Sequence, residues 1–296
     1  MTYGILLVTG ANGFIGRHLV RSMLEAGSEV VVGLRRPATH EEPLAGLPWI
    51  DLRVDQPQLR WALKEHGITS CVHLAARLVA EHDAGDVGDL VASNIGLTAA
   101  LADAAVAAGV RHFLTMGTVW QHAAGPDYRP VSLYAATKQA AEDVLRHFSV
   151  NEGLPVSVLK LPDTYGPGDT RRKALDLLLD AAWTGSSLGM SPGEQLLDLV
   201  HVRDVVGAIS TVLSAPAEQR PGSWVLSSGE PLTLSALADR VAGVTGRPVP
   251  VTWGARPYRR VEAFRPWDAG PVLPGWAPHT HLDDGIAELW QDRSSR

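Results

Sequence analysis

Two side chains that can handle a proton lie four positions apart in the middle of the chain, Tyr134 and Lys138, within the run YAATK. Residues four apart share one face of an α-helix, so the ammonium group of Lys138 can sit near the phenol of Tyr134. A nearby positive charge favours the ionised form of a phenol, whose ordinary pKa is about 10. The pair is a candidate for general acid–base catalysis, although amphipathic helices also place tyrosine and lysine in this way by chance.

A second chemical signal lies near the N-terminus, where TGANGFIG places Gly10, Gly13 and Gly16 at three-residue intervals. The preceding apolar run, residues 4–8, is typical of a buried parallel strand, and a helix is predicted over 14–26. In such a turn the first glycine permits the bend, the second lets a pyrophosphate approach, and the third lets the helix pack on the strand. The turn predicts dinucleotide binding, with further contacts from Asn12, Phe14 and Ile15.

The residues after the second predicted strand bear on which dinucleotide is bound. Enzymes that use NAD usually carry an acid there for the ribose 2′-hydroxyl, whereas arginine accommodates the 2′-phosphate of NADP. This chain has Arg35 and Arg36 at that place and no acid. We therefore expect NADP(H) to be favoured over NAD(H), the alternative being that both arginines are merely solvated. Asp55, at the end of the third predicted strand, is either a hydrogen-bond acceptor for the adenine amino group or an ordinary acidic loop residue.

The elements that must position these residues alternate along the first half of the chain. Strands are predicted at 29–34, 49–54, 70–74, 112–116 and 155–161, and alanine-rich helices over 90–108 and 134–148. Such alternation predicts parallel strands joined by right-handed crossovers. The expected fold class is α/β, a Rossmann-type doubly wound parallel sheet.

Beyond residue 161 the alternation fails, and glycine, proline and tryptophan become frequent. This composition favours a smaller C-terminal substrate-binding lobe over the carboxyl edge of the sheet, where ligands bind in open α/β folds. Segments 199–213 and 224–227 are expected to return to the first domain. The predicted Rossmann domain therefore comprises residues 1–164 with 199–227, and the substrate-binding lobe comprises residues 165–198 with 228–296.

Composition narrows the classes of partner. The net charge of −6 argues against a nucleic-acid-binding surface, which relies on clustered basic residues. Cys71 is the single cysteine, so no internal disulfide points to secretion. No apolar stretch approaches the roughly 20 residues of a membrane span, and the histidines lack metal-ligand spacing. We expect a cytoplasmic protein that binds no metal, nucleic acid or membrane.

Together the motifs resemble the extended short-chain dehydrogenase/reductase family, which includes the NAD-dependent epimerases and dehydratases. The resemblance covers nearly the whole chain and rests on TGANGFIG, HLAA at 73–76, Asn94, Thr118, YAATK, YGPGD at 165–169 and LVHVRD at 199–204. It implies that Tyr134 is the acid/base, and that Lys138 lowers its pKa and holds the nicotinamide ribose. Thr118, or failing that Thr115, would orient the substrate oxygen. Asn94 would be mainly structural.

The resemblance also implies further cofactor contacts and a branch of the family. The cofactor contacts are expected at Leu74, Ala75, Ala76 and Leu161. A 4,6-dehydratase would carry an Asp-Glu pair beside Thr118, where this chain has Val119 and Trp120. A 4-epimerase usually holds NAD through the acid that is missing after the second strand. The chain looks most like the 4-ketoreductases, which reduce a nucleoside-diphosphate 4-keto-6-deoxyhexose with NADPH.

One departure from the family bears on the substrate. Nucleotide-sugar members commonly have an arginine for the diphosphate at the position of Leu197. Arginine is suited to bidentate phosphate contacts, and replacements are available elsewhere. The expected substrate-binding residues are Thr118, Trp120, Asp163, Arg171, Arg256 and Arg259.

Rival functions stay open on the sequence alone. They are a nucleotide-sugar 4-epimerase, a reductase of a non-nucleotide carbonyl, which Leu197 favours, and a dinucleotide-sensing protein without catalysis. In similar proteins the two alanine-rich helices pair across a twofold axis, so a homodimer is expected.

Overall fold

The structure of the chain, a computed structural model, describes residues 4–37, 42–122, 127–267 and 270–294. Its strands are β1 Ile5–Thr9, β2 Glu29–Leu34, β3 Trp49–Asp51, β4 Ile68–His73, β5 His112–Thr118, β6 Val156–Leu161, β7 Asp163–Tyr165, β8 Leu188–Gly189, β9 Leu196–Leu197, β10 Leu199–His201, β11 Gly222–Val225, β12 Leu232–Thr233 and β13 Val251–Thr252. Its α-helices are α1 Phe14–Glu25, α2 Gln56–Glu65, α3 Asp86–Val91, α4 Leu97–Ala108, α5 Leu133–Asn151, α6 Ala174–Thr184, α7 Val202–Ser214, α8 Leu234–Thr245 and α9 Leu282–Ser294.

Seven of these strands form one parallel sheet in the order β11-β6-β5-β4-β1-β2-β3. The chain runs outward from β1 in one direction through β2 and β3, and from β4 in the other direction through β5 and β6. The strand order therefore reverses between β1 and β4, and ligands of doubly wound sheets bind at such a switch point. The predicted α/β doubly wound fold is confirmed.

Alternating side chains of the central strands fill two cores, one on each face of the sheet. Leu6 and Val8 of β1 pack with α1 and α7, whereas Leu7 between them packs with α2, α4 and α5. Both layers consist of buried, mostly aliphatic residues, as expected when helices cover both faces of a parallel sheet. The sheet is thus packed on both faces, and the loops that could carry a site follow its strand ends.

A third core lies outside this sandwich. It gathers side chains of α6, α8 and α9 around Leu178, Leu237 and Ile286. Three two-stranded sheets accompany it, pairing β7 with β10, β9 with β12 and β8 with β13. Strand β7 extends across the predicted boundary at 164/165, and β11 joins the main sheet beside β6. The proposed division into two lobes stays a prediction.

The long helix after β4 is continuous through a π-helical segment, Ala92–Gly96, that joins α3 to α4. Over Asp86–Ala108 it is 23 residues long and apolar enough, by length and composition alone, to cross a membrane. The expectation that the chain has no such stretch was therefore wrong. Leu101 and Ala104 of this helix are fully buried against the sheet, and the core helix of a globular domain passes the same test. The cytoplasmic location stays a prediction.

Candidate active site

The carboxyl ends of neighbouring strands bring the chemical residues of the sequence to one edge of the sheet. Register pairs Thr9 with His73, and Thr118 with Leu161, each at the end of its strand. The glycine turn follows Thr9, and the helix that carries Tyr134 and Lys138 follows Thr118. Motifs more than a hundred residues apart therefore meet at the switch point of the sheet.

The glycine turn is shaped by close backbone contacts. Gly10 has φ +67°, and a β-carbon there would lie 2.6 Å from the backbone nitrogen of Ala75. A β-carbon on Gly16 would lie 2.7 Å from the α-carbon of Ala11, so only glycine lets α1 approach β1 this closely. A β-carbon on Gly13 would meet only one atom, the Gly10 carbonyl oxygen at 3.1 Å. The second glycine therefore borders open space, as a pyrophosphate site requires.

The start of α1 fits a phosphate group. Its N-cap residue, Gly13, has no side chain to accept a hydrogen bond from the helix. The first N–H groups of a helix lack partners within the helix, so those of Phe14, Ile15 and Gly16 can bind an anion at the positive end of the dipole. Asn12 precedes them, and its carbonyl oxygen accepts a hydrogen bond from Arg17 at 3.1 Å. These residues suit the phosphates of a dinucleotide.

The two arginines predicted to select NADP follow the last residue of β2, Leu34, directly. Both side chains are exposed, and β2 lies next to β1 in the sheet. Arg35 and Arg36 are therefore held beside the glycine turn with their guanidinium groups in solvent. Their placement is compatible with a 2′-phosphate, and the preference for NADP stays a prediction.

The predicted position of Asp55 was wrong. Strand β3 ends at Asp51, and Asp55 lies beyond it as the N-cap of α2, where its carboxylate accepts a hydrogen bond from the Gln58 N–H at 2.9 Å. The acid at the strand end is Asp51, which is in register with Leu34 and binds Arg53 at 2.7 Å. That pairing lowers the pKa of Asp51. Asp51, missed in the sequence, thus occupies the strand end that was assigned to Asp55.

The loop after β4 is joined to β1 by hydrogen bonds. The Leu74 N–H donates to the Thr9 carbonyl oxygen at 3.1 Å, and the Ala75 N–H donates to the Thr9 hydroxyl at 3.3 Å. Ala76 follows, exposed, and Leu161 lies half-buried at the end of β6. The structure thus places Leu74, Ala75 and Ala76 beside the glycine turn, where the family resemblance expects cofactor contacts.

Buried polar side chains link this loop to the catalytic helix. His73 binds the hydroxyls of Thr9 at 2.7 Å and Thr98 at 3.0 Å. Asn94, in the π-helical segment, donates to the Thr137 hydroxyl at 2.9 Å and exchanges two hydrogen bonds with the backbone of Arg77. This arrangement agrees with the structural role expected for Asn94. It couples the position of α5 to that of the loop after β4.

Thr118, Tyr134 and Lys138 are all buried at this edge, with 7%, 9% and 4% of each residue exposed. Ser132 caps α5 through a hydrogen bond from the Ala135 N–H, so the helix begins one residue before Tyr134. The Thr118 hydroxyl accepts a hydrogen bond from the Trp120 N–H at 3.2 Å. Its own proton stays available to a substrate oxygen. Thr115, the fallback, donates to the His73 carbonyl oxygen inside the sheet instead.

The protonation of the pair differs from the prediction that Lys138 lowers the pKa of Tyr134. Burial raises the pKa of Tyr134 to about 12, because a phenolate loses its hydration, and the nearby cation that opposes this rise is Arg171. Burial also lowers the pKa of Lys138 to about 8, against a favourable effect of the Glu142 carboxylate. The phenol is therefore protonated at neutral pH, and the structure presents a proton donor.

The residues predicted to bind substrate are only partly brought together. Arg259 lies over the ring of Trp120, 5.6 Å from its centre, and so reaches the turn after Thr118. Arg171 instead binds Asp169 through two nitrogens and stacks on Phe14 of the glycine turn, 4.7 Å from the ring centre.

Two other predicted substrate ligands are Asp163 and Arg256. Asp163 accepts a hydrogen bond from Lys173 at 2.7 Å, so its carboxylate is already paired. Arg256 is exposed after β13. Leu197, where the family usually has arginine, lies half-buried in β9 against Leu232 of β12. The roles of all these residues stay predictions.

Sequence reasoning missed a polar cluster behind Thr118, formed by the buried Gln121 and Lys160 with the half-buried Gln139 and Glu142. Glu142 lies one helical turn beyond Lys138 and two beyond Tyr134, a spacing that could have pointed to it. Lys160 could not be found in this way, because it comes from β6 and meets Glu142 only in the folded chain.

This chain is similar in sequence to several known proteins. The sequence pattern of the NAD dependent epimerase/dehydratase family matches residues 6–227. CDP-abequose synthase of Salmonella typhimurium is 26% identical, in an alignment that covers 70% of this chain and 69% of that protein. dTDP-glucose 4,6-dehydratase of Streptomyces griseus is 27% identical, covering 95% of this chain and 92% of that protein.

A solved structure agrees over the full length. The structure of MoeE5 in complex with UDP-glucose and NAD superimposes with a TM-score of 0.83 and 28% sequence identity, covering 99% of this chain and 100% of that one. The similarity therefore extends beyond the sheet to the third core.

Proposed function

The chain belongs to the NAD dependent epimerase/dehydratase family and is an NAD(P)-dependent enzyme of the oxidoreductase type, and from that premise we propose a specific reaction. The protein reduces the 4-keto group of a nucleoside-diphosphate 4-keto-6-deoxyhexose with NADPH. The observation that carries this proposal is the composition of the strand end beside Tyr134. Thr118 is followed there by Val119 and Trp120, where a 4,6-dehydratase would carry an Asp-Glu pair.

The chain's own residues have distinct parts in this reduction. The glycine turn and the start of α1 would hold the phosphates of the dinucleotide, which supplies the hydride when bound. Thr118 orients the carbonyl by donating a hydrogen bond from its hydroxyl group to the carbonyl oxygen. Tyr134 transfers its phenolic proton to the same oxygen, and an alcohol results. Lys138 is proposed to hold the nicotinamide ribose.

Direct assay tests the proposal. The protein is incubated with NADPH and a panel of 4-keto-6-deoxy nucleotide sugars, each generated in place by a 4,6-dehydratase. Loss of NADPH absorbance with formation of a 6-deoxyhexose nucleotide is the expected result. Interconversion of unreduced nucleotide sugars without net loss of NADPH would identify a 4-epimerase instead. Binding of the dinucleotide without turnover of any carbonyl compound would leave only a dinucleotide-sensing function.

A second candidate function is the reduction of a carbonyl compound that carries no nucleotide. Leu197 favours it, because an aliphatic side chain occupies the place of the usual diphosphate ligand. Against it stands Arg259, which reaches Trp120 beside Thr118 and offers a cation to an anionic substrate. Turnover of apolar ketones, with none of the sugar panel, would decide for the second candidate.

The proposed preference for NADPH is tested by removing both arginines after β2. Arg35→Ala/Arg36→Ala is expected to weaken NADPH binding about 10- to 100-fold and to leave NADH binding within about twofold. Hydrogen bonds to charged groups contribute about 1.5–3 kcal/mol, and 1.4 kcal/mol corresponds to a factor of ten. Kd values from fluorescence titration measure the effect. Arg111→Ala, exposed at the amino end of β5, is the matched control. Tighter binding of NADH by the unmodified protein would contradict the assignment.

We also propose that the protein forms a homodimer through the helix Asp86–Ala108 and α5. Exposed aliphatic side chains on these helices support it, namely Val87, Val91 and Val150, of which 41%, 45% and 73% are exposed. A second copy of the same helices would cover them in a four-helix arrangement. Light scattering is expected to give twice the mass of 31.7 kDa. A monomeric mass at micromolar concentration would refute the dimer.

A further inference from the structure

The buried cluster behind Thr118 connects groups that the proposed reaction uses separately. The side chain of Gln121 is fully buried, and its amide oxygen accepts a hydrogen bond from the Thr118 N–H at 2.8 Å. Its amide nitrogen donates to Glu142 at 2.9 Å and to Gln139 at 2.7 Å. Gln121 thus connects the backbone of Thr118 to the helix that carries Tyr134 and Lys138.

Glu142 is the centre of this cluster. Both of its carboxylate oxygens accept hydrogen bonds from the Lys160 ammonium, at 2.9 and 2.8 Å, and only 14% of its side chain is exposed. A β-carbon on Gly117 would lie 2.7 Å from this carboxylate, so the strand end leaves room for it. A carboxylate this far from solvent exerts a stronger field on neighbouring charges than an exposed one.

Glu142 also lies one helical turn beyond Lys138, on the same face of α5. Two other titratable groups of the described chain near Lys138, His73 and Tyr134, are uncharged at neutral pH. Burial lowers the pKa of His73 to about 3, which leaves it neutral, and burial keeps Tyr134 protonated. Lys160 lies beyond Glu142 and would disfavour a second positive charge. Glu142 therefore supplies the negative charge that favours the ammonium form of Lys138.

We propose that Glu142 is a positioning residue for the reaction, whose buried carboxylate holds Thr118 through Gln121 and keeps Lys138 charged. This inference rests on the proposed catalytic use of Thr118 and Lys138. A purely structural ion pair would stabilise the fold through Lys160 without affecting the charge of Lys138. The two roles can be separated by substituting each partner of the ion pair in turn. Loss of Glu142 removes a negative charge near Lys138, whereas loss of Lys160 removes a positive one.

Titration of Lys138 by NMR tests the electrostatic part without any substrate. The chain has four lysines, Lys64, Lys138, Lys160 and Lys173, so carbon-13 labelling of lysine gives few signals, and Lys138→Met assigns the one of interest. The midpoint for Lys138 is expected near pH 8 in the unmodified protein. In Glu142→Gln it is expected to fall by about one pH unit, because the favourable charge is lost.

Lys160→Met is the matched control, since it breaks the same ion pair but leaves the charge of Glu142. In Lys160→Met the titration midpoint of Lys138 is expected to stay unchanged or to rise. Glu142→Gln alone leaves Lys160 buried without a partner and can fail to fold, so the decisive comparison is Glu142→Gln/Lys160→Met against Lys160→Met. These two proteins differ only at residue 142. A difference below about 0.3 pH unit between them would overturn the electrostatic role.

Gln121→Met tests the connection to Thr118. It is expected to lower kcat between about 10- and 100-fold, because a small misplacement of the hydroxyl weakens its alignment, and to leave the Lys138 midpoint unchanged. Unchanged kcat in this variant would overturn the connection to Thr118. Should no carbonyl compound be reduced by the unmodified protein, the proposed function fails, while the titrations still decide whether Glu142 controls the charge of Lys138.

Discussion

Tyr134→Phe is expected to lower kcat for carbonyl reduction by about 10²- to 10⁴-fold, the contribution typical of a positioned proton donor. The substitution removes one oxygen from a side chain that is 9% exposed, and the ring keeps its packing. Because the pKa of Tyr134 is raised to about 12, the phenol is fully protonated at neutral pH. The measurement is steady-state reduction followed by NADPH absorbance.

The interpretation of that loss depends on two controls. Cofactor affinity and the midpoint of thermal unfolding are expected to match those of the unmodified protein, because the phenol is not a phosphate ligand. Tyr128→Phe, at a tyrosine that is 52% exposed, is expected to leave kcat unchanged. Activity within about threefold of normal in Tyr134→Phe would rule out this residue as the acid.

Lys138→Met is expected to make the protein more stable at pH 7 while it removes activity. The pKa of Lys138 falls from an ordinary 10.5 to about 8, so the folded state holds this ammonium less favourably than the unfolded chain does. The difference corresponds to about 3 kcal/mol of the free energy of unfolding at neutral pH. Strained or unfavourable charges of this kind are typical of functional sites.

The pH dependence identifies the cause of that gain. Between about pH 8 and 10.5 the folded state binds fewer protons at this site than the unfolded state, so the stability of the unmodified protein rises with pH relative to Lys138→Met. Urea unfolding at pH 7 and pH 9.5 should show the advantage of the variant shrinking at the higher pH. Lys138→Arg, which keeps the charge, is the control and is expected to gain nothing. A gain in Lys138→Met that is equal at both pH values would point to packing instead.

The buried lysine and its carboxylate suggest how the site is maintained. Burial at 4% exposure lowers the pKa of Lys138, and the carboxylate of Glu142 on the next helical turn opposes that fall. The same carboxylate orders the turn after β5. A stability cost at Lys138 is thus part of the arrangement that we propose for the reaction.

Local patterns of the sequence determined the doubly wound sheet, the glycine turn and the Tyr134–Lys138 pair. Each depends on neighbours within about ten residues: apolar runs predict strands, alanine-rich segments predict helices, and a spacing of four places two side chains on one helix face. The fold class then placed the ligand site at the carboxyl edge of the sheet, where ligands bind in open α/β folds.

Other features depended on contacts between distant segments, and only the tertiary structure decided them. The apolar pattern over 49–54 does not show that β3 ends at Asp51, because that end is set by pairing with β2 and by the N-cap of α2. The pKa of Tyr134 follows from its burial beneath other elements, which outweighs the opposing effect of the Arg171 cation. Lys160 and Glu142 meet because β6 lies beside β5, although 18 residues separate them in the chain. Burial and partner choice are properties of the whole fold, whereas motif spacing is a property of the chain.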